Sequence, residues 1–154
     1  MNGREDKKSN DLFFTCSLIE YIARKTKNPP SFVAEKLSVE NIEKIYELAD
    51  VYHSDNIDDV SDSFIEKCHI ESGNFDNVSA CMYSVPTHWD MGKVYKRLVK
   101  MVAERYNLEI AEAVKTVYAS KVSEMLENYN SDFYYQSPEL IFEEFEDREK
   151  EKNQ

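Results

Sequence analysis

The stretch IAEAVKTVYASKVSEMLENY, residues 110–129, decides the fold class of this chain. Ile110, Val114, Val117, Tyr118, Val122, Met125, Leu126 and Tyr129 recur at three- and four-residue steps, which places them on one helix face. The pattern predicts a single helix of about five turns. The same period continues outward in both directions. Val94, Leu98, Met101, Val102 and Tyr106 mark a preceding helix that Asp90 can cap and Asn107 interrupts. Ser137-Pro138-Glu139 opens a last helix with cap, proline and early acid in the favoured order, and Phe142 and Phe145 would pin it to the body.

Upstream, Leu12, Phe13, Cys16, Ile19, Ile22 and Ala23 form the apolar stripe of a first helix, capped at Ser9 or Asn10 and ended by Asn28-Pro29-Pro30. A short helix follows over 31–37. Ser38 can cap a third, with Val39, Ile42, Ile45, Tyr46, Ala49 and Tyr52 in period, and Ile57, Val60, Phe64 and Cys68 mark a fourth. Residues 70–90 lose the period and read as a long connection, but Val78, Cys81, Met82, Tyr83 and Val85 are apolar enough to pack against the body. No segment alternates over the length of a strand. The expected fold is an all-α compact bundle of about six to seven helices, with a long packed loop between an N-terminal four-helix part and a C-terminal three-helix part. The boundaries this implies are a flexible N-terminus over 1–8, an N-terminal part with its loop over 9–90, a C-terminal part over 91–147 and a charged tail over 148–154.

Composition narrows the function classes. The chain has 154 residues, 42% hydrophobic and 32% charged, a globular rather than a disordered balance. Nineteen Lys and Arg against 30 Asp and Glu give a formal charge of −11, which repels polyanions and argues against a nucleic-acid or membrane-surface binder. Gly3, Gly73 and Gly92 are too far apart to build a phosphate loop. Cys16, Cys68 and Cys81 form no C-x-x-C pair and fit a reducing compartment. The polar Met1–Lys8 segment has no apolar signal core behind it, and no run approaches a membrane span. A soluble cytoplasmic protein is expected.

Four features could carry chemistry. Residues 32–39 resemble the start of a helix-turn-helix, but Lys44 and Glu47 fall where that motif needs buried aliphatics. Its exposed face would offer Glu40, Glu43, Glu47 and Asp50 to a polyanion, so an ordinary helical corner accounts for it better. Cys68 and His69 are adjacent and point about 100° apart on a helix, and zinc spacing is absent. Asp55, Asp58, Asp59 and Asp62 lack the pattern of a calcium loop and suit a helix N-terminus. His88 and the only tryptophan, Trp89, are candidates for a ligand loop or for a buried anchor. Lys93, Lys96, Arg97, Lys100 and Arg105 make a local charge reversal opposed only by Glu104, a docking face for an anionic group or an acidic partner. Phe133, Tyr134 and Tyr135 crowd one loop, where tyrosine suits a partly wet contact.

Several of these pieces resemble a known family. Glu104-Arg105-Tyr106-Asn107-Leu108, Glu112-Ala113-Val114, Val117-Tyr118-Ala119-Ser120-Lys121, Met125-Leu126-Glu127 and Tyr134-Tyr135-Gln136-Ser137-Pro138 look like the small bacterial helical domain DUF3791, over about residues 93–147. The joining loop departs from it, with Asn128-Tyr129-Asn130-Ser131-Asp132 in place of an acidic, threonine-containing turn. The segment from Ile22 to His53 resembles other uncharacterised small bacterial proteins. Neither resemblance brings an activity. The first implies an association with toxin-like proteins encoded nearby.

The functional expectation is a non-enzymatic, acidic protein-interaction module, antitoxin-like in that it neutralises or regulates a toxin-like partner. Phe133, Tyr134 and Tyr135 would be its anchors, and the Lys93–Lys100 face would steer the partner. The alternative is a small-ligand protein or enzyme using the loop from Cys81 to Trp89, with His88 as acid/base and Lys93 or Arg97 holding an anion. DNA binding is disfavoured by the charge. No cofactor or metal is expected, and a homodimer is an open possibility.

Overall fold

The computed structural model describes residues 3–152, with side-chain environments from Lys7 onward. Among these residues the chain is all-helical, with no strand: α1 (Gly3–Thr26), α2 (Pro30–Glu47), α3 (Ala49–Ser54), α4 (Ile57–Lys67), α5 (Asn77–Ala80), α6 (His88–Tyr106), α7 (Ile110–Tyr118), α8 (Lys121–Leu126), a 3-10 turn over Phe133–Tyr135, and α9 (Pro138–Lys152). No helix among them is long and apolar enough to cross a membrane.

The centre of the molecule is the pair α1 and α6. Tyr21 meets His88, Ser17 meets Gly92, and Phe13 meets Lys96, so the two helices run antiparallel. The α1 stripe of Leu12, Cys16, Ile19 and Ile22 is buried there with Met91, Tyr95, Leu98, Val99 and Val102 of α6. On the flank α2 lies on α1 and α7, while α9 covers α6 and α8. The N-terminal and C-terminal parts therefore share one core. Its middle is a stacked tyrosine pair, Tyr95 on Tyr118, with ring centroids 4.1 Å apart and both side chains fully buried.

Several expected boundaries move, each for a local reason. The five-turn helix over 110–129 is broken at Ala119-Ser120, because Ser120 takes an extended ψ of 162° and bonds its hydroxyl back to the Val117 carbonyl at 2.6 Å. The apolar face survives the break: Val114, Val117, Tyr118, Val122, Leu126 and Tyr129 are all buried. α6 begins at His88 rather than after Asp90. Thr87 is its cap, and Asp90 closes a reciprocal capping box with 2.9 Å bonds in both directions. Ser38 does mark the joint between two helical stretches, but the chain runs through it as a kink in α2, with φ 68° and ψ 165°.

Other boundaries shift at the ends and in the connection. Helix begins at Gly3 instead of Ser9, so the flexible N-terminus expected over 1–8 is helical from residue 3; Met1 and Asn2 lie outside the described residues. α9 continues through the expected tail to Lys152. The long connection carries the short α5. It packs through Ile70 and Pro86 and, as expected, through Val78, Cys81 and Val85, but leaves Met82 and Tyr83 out at 77% and 67% exposure, contrary to the packing expected for them.

The α1–α6 approach is close enough to need a glycine. A Cβ on Gly92 would sit 3.0 Å from Ser17 Cα and collide with Ser17 Oγ. Gly92→Ala should gain about 1 kcal/mol of helix propensity, but overpacking costs about 1–3 kcal/mol, so it should be less stable by up to about 2 kcal/mol net. Denaturant unfolding of Gly92→Ala, Ser17→Gly and the double variant checks this. The double should lose less than the sum of the singles, because the second change removes the atoms the first one strikes.

Candidate functional site

Some of the sequence-derived candidates converge. A cleft of about 480 Å³ runs between the first half of α6, residues 84–86 of the connection, the 3-10 turn and the start of α9. Its apolar floor is Pro86, Val94, Leu98, Tyr134 and Ile141, and its rim carries Lys93, Arg97, Ser84, Gln136 and Tyr135. Lys93 and Arg97 reach the same rim because they are four residues apart on one helix. Both are exposed, and neither forms an ion pair with a carboxylate among the described residues. Asp90 also borders the cleft, but its carboxylate is engaged by the Thr87 N–H. The Tyr134 ring packs inward, edge-on to Tyr129, whereas Tyr135 stands 75% exposed. Such a cleft offers an apolar recess beside two cations.

The remaining candidates lie elsewhere. Lys96 is half-buried, its ammonium 5.8 Å from the Phe13 ring centre, and burial followed by the charges of Lys100, Arg97 and Lys93 lowers its pKa. Lys100 is exposed and borders neither this cleft nor the second one described below. Phe133 sits on the other side of the 3-10 turn, in a groove with Met125 and Leu140. His88 and Trp89 also face away from the cleft. Trp89 packs on Phe13 and His53 at 5.5 and 6.0 Å, and His88 lies edge-on to Tyr21 at 4.9 Å. Burial, then the Arg24 charge, lowers the His88 pKa, and its Nε2 has no hydrogen-bond partner among the described residues. These two rings pin the start of α6 to α1. Cys16 is fully buried, with its thiol pKa pushed up by burial, and Cys68 and Cys81 are half-buried.

A second polar constellation escaped the sequence reading. Glu20 of α1 and Glu127, just past α8, are 1% and 5% exposed and lie within hydrogen-bonding reach of each other. Glu127 accepts from the Tyr95 hydroxyl at 2.8 Å, and from the Tyr129 hydroxyl and Asn77 Nδ2 at 3.1 Å each. Arg24 donates to the Tyr129 hydroxyl at 2.9 Å and to the Pro86 carbonyl. Burial raises the pKa of both carboxyls, and for Glu20 the charge of Glu127 adds to the effect. The signal for Glu20 was present: it is four residues after Cys16 and three before Ala23, inside the apolar stripe. Glu127 gave no comparable sign, because the break at Ser120 changes which residues of the next turn face inward. Glu127 also lines a second cleft, of about 590 Å³, between Pro29–Ser31, Asn74–Asn77 and Ser123–Asn130. Among the described residues no group of three or more His, Cys, Asp or Glu is arranged to hold a metal ion.

No protein-family model, no curated protein and no solved structure matches this chain.

The two neighbouring tyrosines should separate on mutation. Tyr134→Ala should destabilise the protein by about 3 kcal/mol, the cost of truncating a buried aromatic ring. Tyr135→Ala should stay within about 0.5 kcal/mol, as at an ordinary surface position. Thermal and denaturant unfolding of the two variants measures both.

Proposed function

We propose that this is a non-enzymatic, cytoplasmic protein-interaction module, and that the cleft along α6 receives an acidic segment of a partner protein carrying an apolar side chain. The observation that supports this reading is the pairing of unneutralised Lys93 and Arg97 with an apolar floor, on a protein of net charge −11. In a chain so acidic, two cations beside an apolar recess favour a partner with complementary charge. Exposed Tyr135 on the rim, and Tyr83 next to rim residue Ser84, supply the amphipathic rings that suit a partly wet contact. The buried Tyr134 shapes the floor. Phe133, Lys96 and Lys100 would contribute through packing or the surrounding field.

The resemblance of residues 93–147 to DUF3791 makes a toxin-like protein the partner to try first, with this chain as its neutraliser or regulator. A second reading has the same cleft as its basis: a small amphipathic anion, with a carboxylate on Lys93 and Arg97 and an apolar body on Leu98 and Ile141.

Selection from a displayed random-peptide library separates them. Enriched peptides should place Asp or Glu beside a large apolar residue and bind more weakly as salt rises. Lys93→Glu/Arg97→Glu should lose at least tenfold in affinity for them, and Tyr135→Ala several-fold, with unfolding midpoints unchanged. Peptides that bind the charge-reversed variant as well as the wild type would overturn the docking surface. A screen in which only small carboxylates bind, and perturb Lys93 and Arg97, would favour the second reading.

A further inference from the structure

Segments from α1, α5, α6, α7 and α8 and the loop after α8 meet around Glu20 and Glu127. On α1 the neighbours are Cys16 and Arg24; on α6, Tyr95, with Lys96 acting on Cys16 and His88 lying near Arg24. Tyr118 faces the pair from α7, Ser123 from α8, Tyr129 from the following loop and Asn77 from α5. Three donors converge on the Glu127 carboxylate, so it is the ionised member. Glu20 has no such set, and its Oε2 has no partner among the described residues. The cation beside them, Arg24, spends its Nη2 on the Tyr129 hydroxyl and the Pro86 carbonyl, and its Nε is unpaired. A second negative charge at Glu20 would be fully buried against Glu127, and the Tyr118 hydroxyl and the Arg24 charge offset only part of that cost.

We propose that Glu20 and Glu127 hold one proton between them, donated by Glu20 to Glu127, and that this proton is a latch: it fastens the segment from α8 to Asn130 onto α1 and releases it when lost as pH rises. Glu127 also lines the second cleft, so the latch sets the shape of that cleft.

The surrounding groups leave the pair as the titrating unit. Burial pushes the Tyr95, Tyr118 and Tyr129 phenols and the Cys16 thiol upward, so they stay neutral through the working range. His88 is shifted the other way and is already neutral above the ordinary histidine range. An unfolded Glu releases its proton near pH of about 4.3. Where the folded pKa is higher, the native state keeps a proton that the unfolded state has lost. Stability is then full below the unfolded pKa and falls as pH rises through the folded one. Asp58 and Asp76, both held low, Asp76 at about 2, act with the opposite sign, losing stability as pH falls. So does His88, on the acid side of its range.

Glu20→Gln isolates the latch, since the amide still donates to Glu127 but cannot ionise. From about pH 6 to about pH 9 the unfolding constant of the wild type should rise relative to the variant by up to tenfold per pH unit, the limit for one proton. Amide exchange corrected for its intrinsic pH dependence should show protection lost in 121–130 and 74–80 of the wild type and retained in the variant. Parallel pH curves, or equal loss of protection, would overturn the proposal. If Glu20→Gln does not fold, wild-type carboxyl carbon shifts and wild-type exchange decide. One carboxyl keeping its proton above pH 6, with loss of protection confined to those segments, is expected. Ionisation of both carboxyls in the ordinary range, or uniform loss across all helices, would refute it.

Discussion

The carboxylate of Glu127 organises the centre of this bundle more than any apolar contact does. A buried charge is costly unless its lone pairs are filled, so wherever Glu127 sits, donors must follow. Tyr95 comes to it from α6, Tyr129 from the loop after α8 and Asn77 from the short α5. Those three bonds fix the height of α6 against α8 and hold part of the long connection in place. The stack of Tyr95 on Tyr118 then follows, because a ring whose hydroxyl is committed to Glu127 has little freedom left about its axis. An apolar core of the same volume would pack as densely. It would not distinguish one register of α1, α6 and α8 from its neighbours, and the directed bonds onto Glu127 do so by making slipped arrangements expensive.

The helices themselves were largely legible, and the places where they were not share a cause. Periodicity located the apolar faces of α1, α4 and α7–α8 because burial of a stripe is a property of spacing; on α6 it found Leu98 and Val102 but put Tyr106 inside, where it is 44% exposed, and missed Met91, Tyr95 and Val99. It could not see the break at Ser120, since Val122, Leu126 and Tyr129 stay buried beyond it and keep the apolar period, while Ser123 and Glu127 turn inward as well. Nor could it see that Thr87 caps α6: Thr and Asp three residues apart make both a cap and its reciprocal partner, and the sequence does not say which comes first in space. Met82 and Tyr83 were misjudged for another reason. Apolar character in an irregular segment says little about direction, and here Ile70, Val78, Cys81, Val85 and Pro86 do the packing while Met82 and Tyr83 face out. The carboxyl pair was the largest omission. Glu20 lies within the apolar stripe of α1, but sequence reading treats Glu as a surface residue, and only the tertiary contact between α1 and the end of α8 brings Glu127 beside it.

Charge on the surface is distributed in a way the net value conceals. The outer face of α2 and the start of α3 carry Glu40, Glu43, Glu47 and Asp50, all exposed, which leaves that side strongly acidic. Some of the basic residues are engaged: Lys25 with Asp58 and Asp62, Lys27 with Asp76, Arg105 with Glu146, Arg148 with Glu144. What sets Lys93 and Arg97 apart is the apolar floor beside them. Exposed ion pairs contribute little to stability, so leaving two cations unpaired costs the fold almost nothing. It preserves a positive patch of field on an acidic body, which a charged partner would meet at close range even where salt screens the rest.

The two sites are physically contiguous through one side chain. Arg24 donates to the Tyr129 hydroxyl, which in turn holds Glu127, and to the carbonyl of Pro86, which forms part of the floor of the α6 cleft. Contiguity alone does not make coupling; that requires an element with two discrete arrangements that both sites bias. The proton between Glu20 and Glu127 supplies such an element. When it is present, Tyr129 is held and Arg24 can bridge to Pro86. When it is lost, Tyr129 leaves with the released segment, the Arg24 guanidinium is drawn to the new charge at Glu20, and the bond to Pro86 is the one with no other support. A single buried proton would thereby bias the floor of the α6 cleft, and by reciprocity an occupant of that cleft would raise or lower the affinity of the carboxyl pair for its proton.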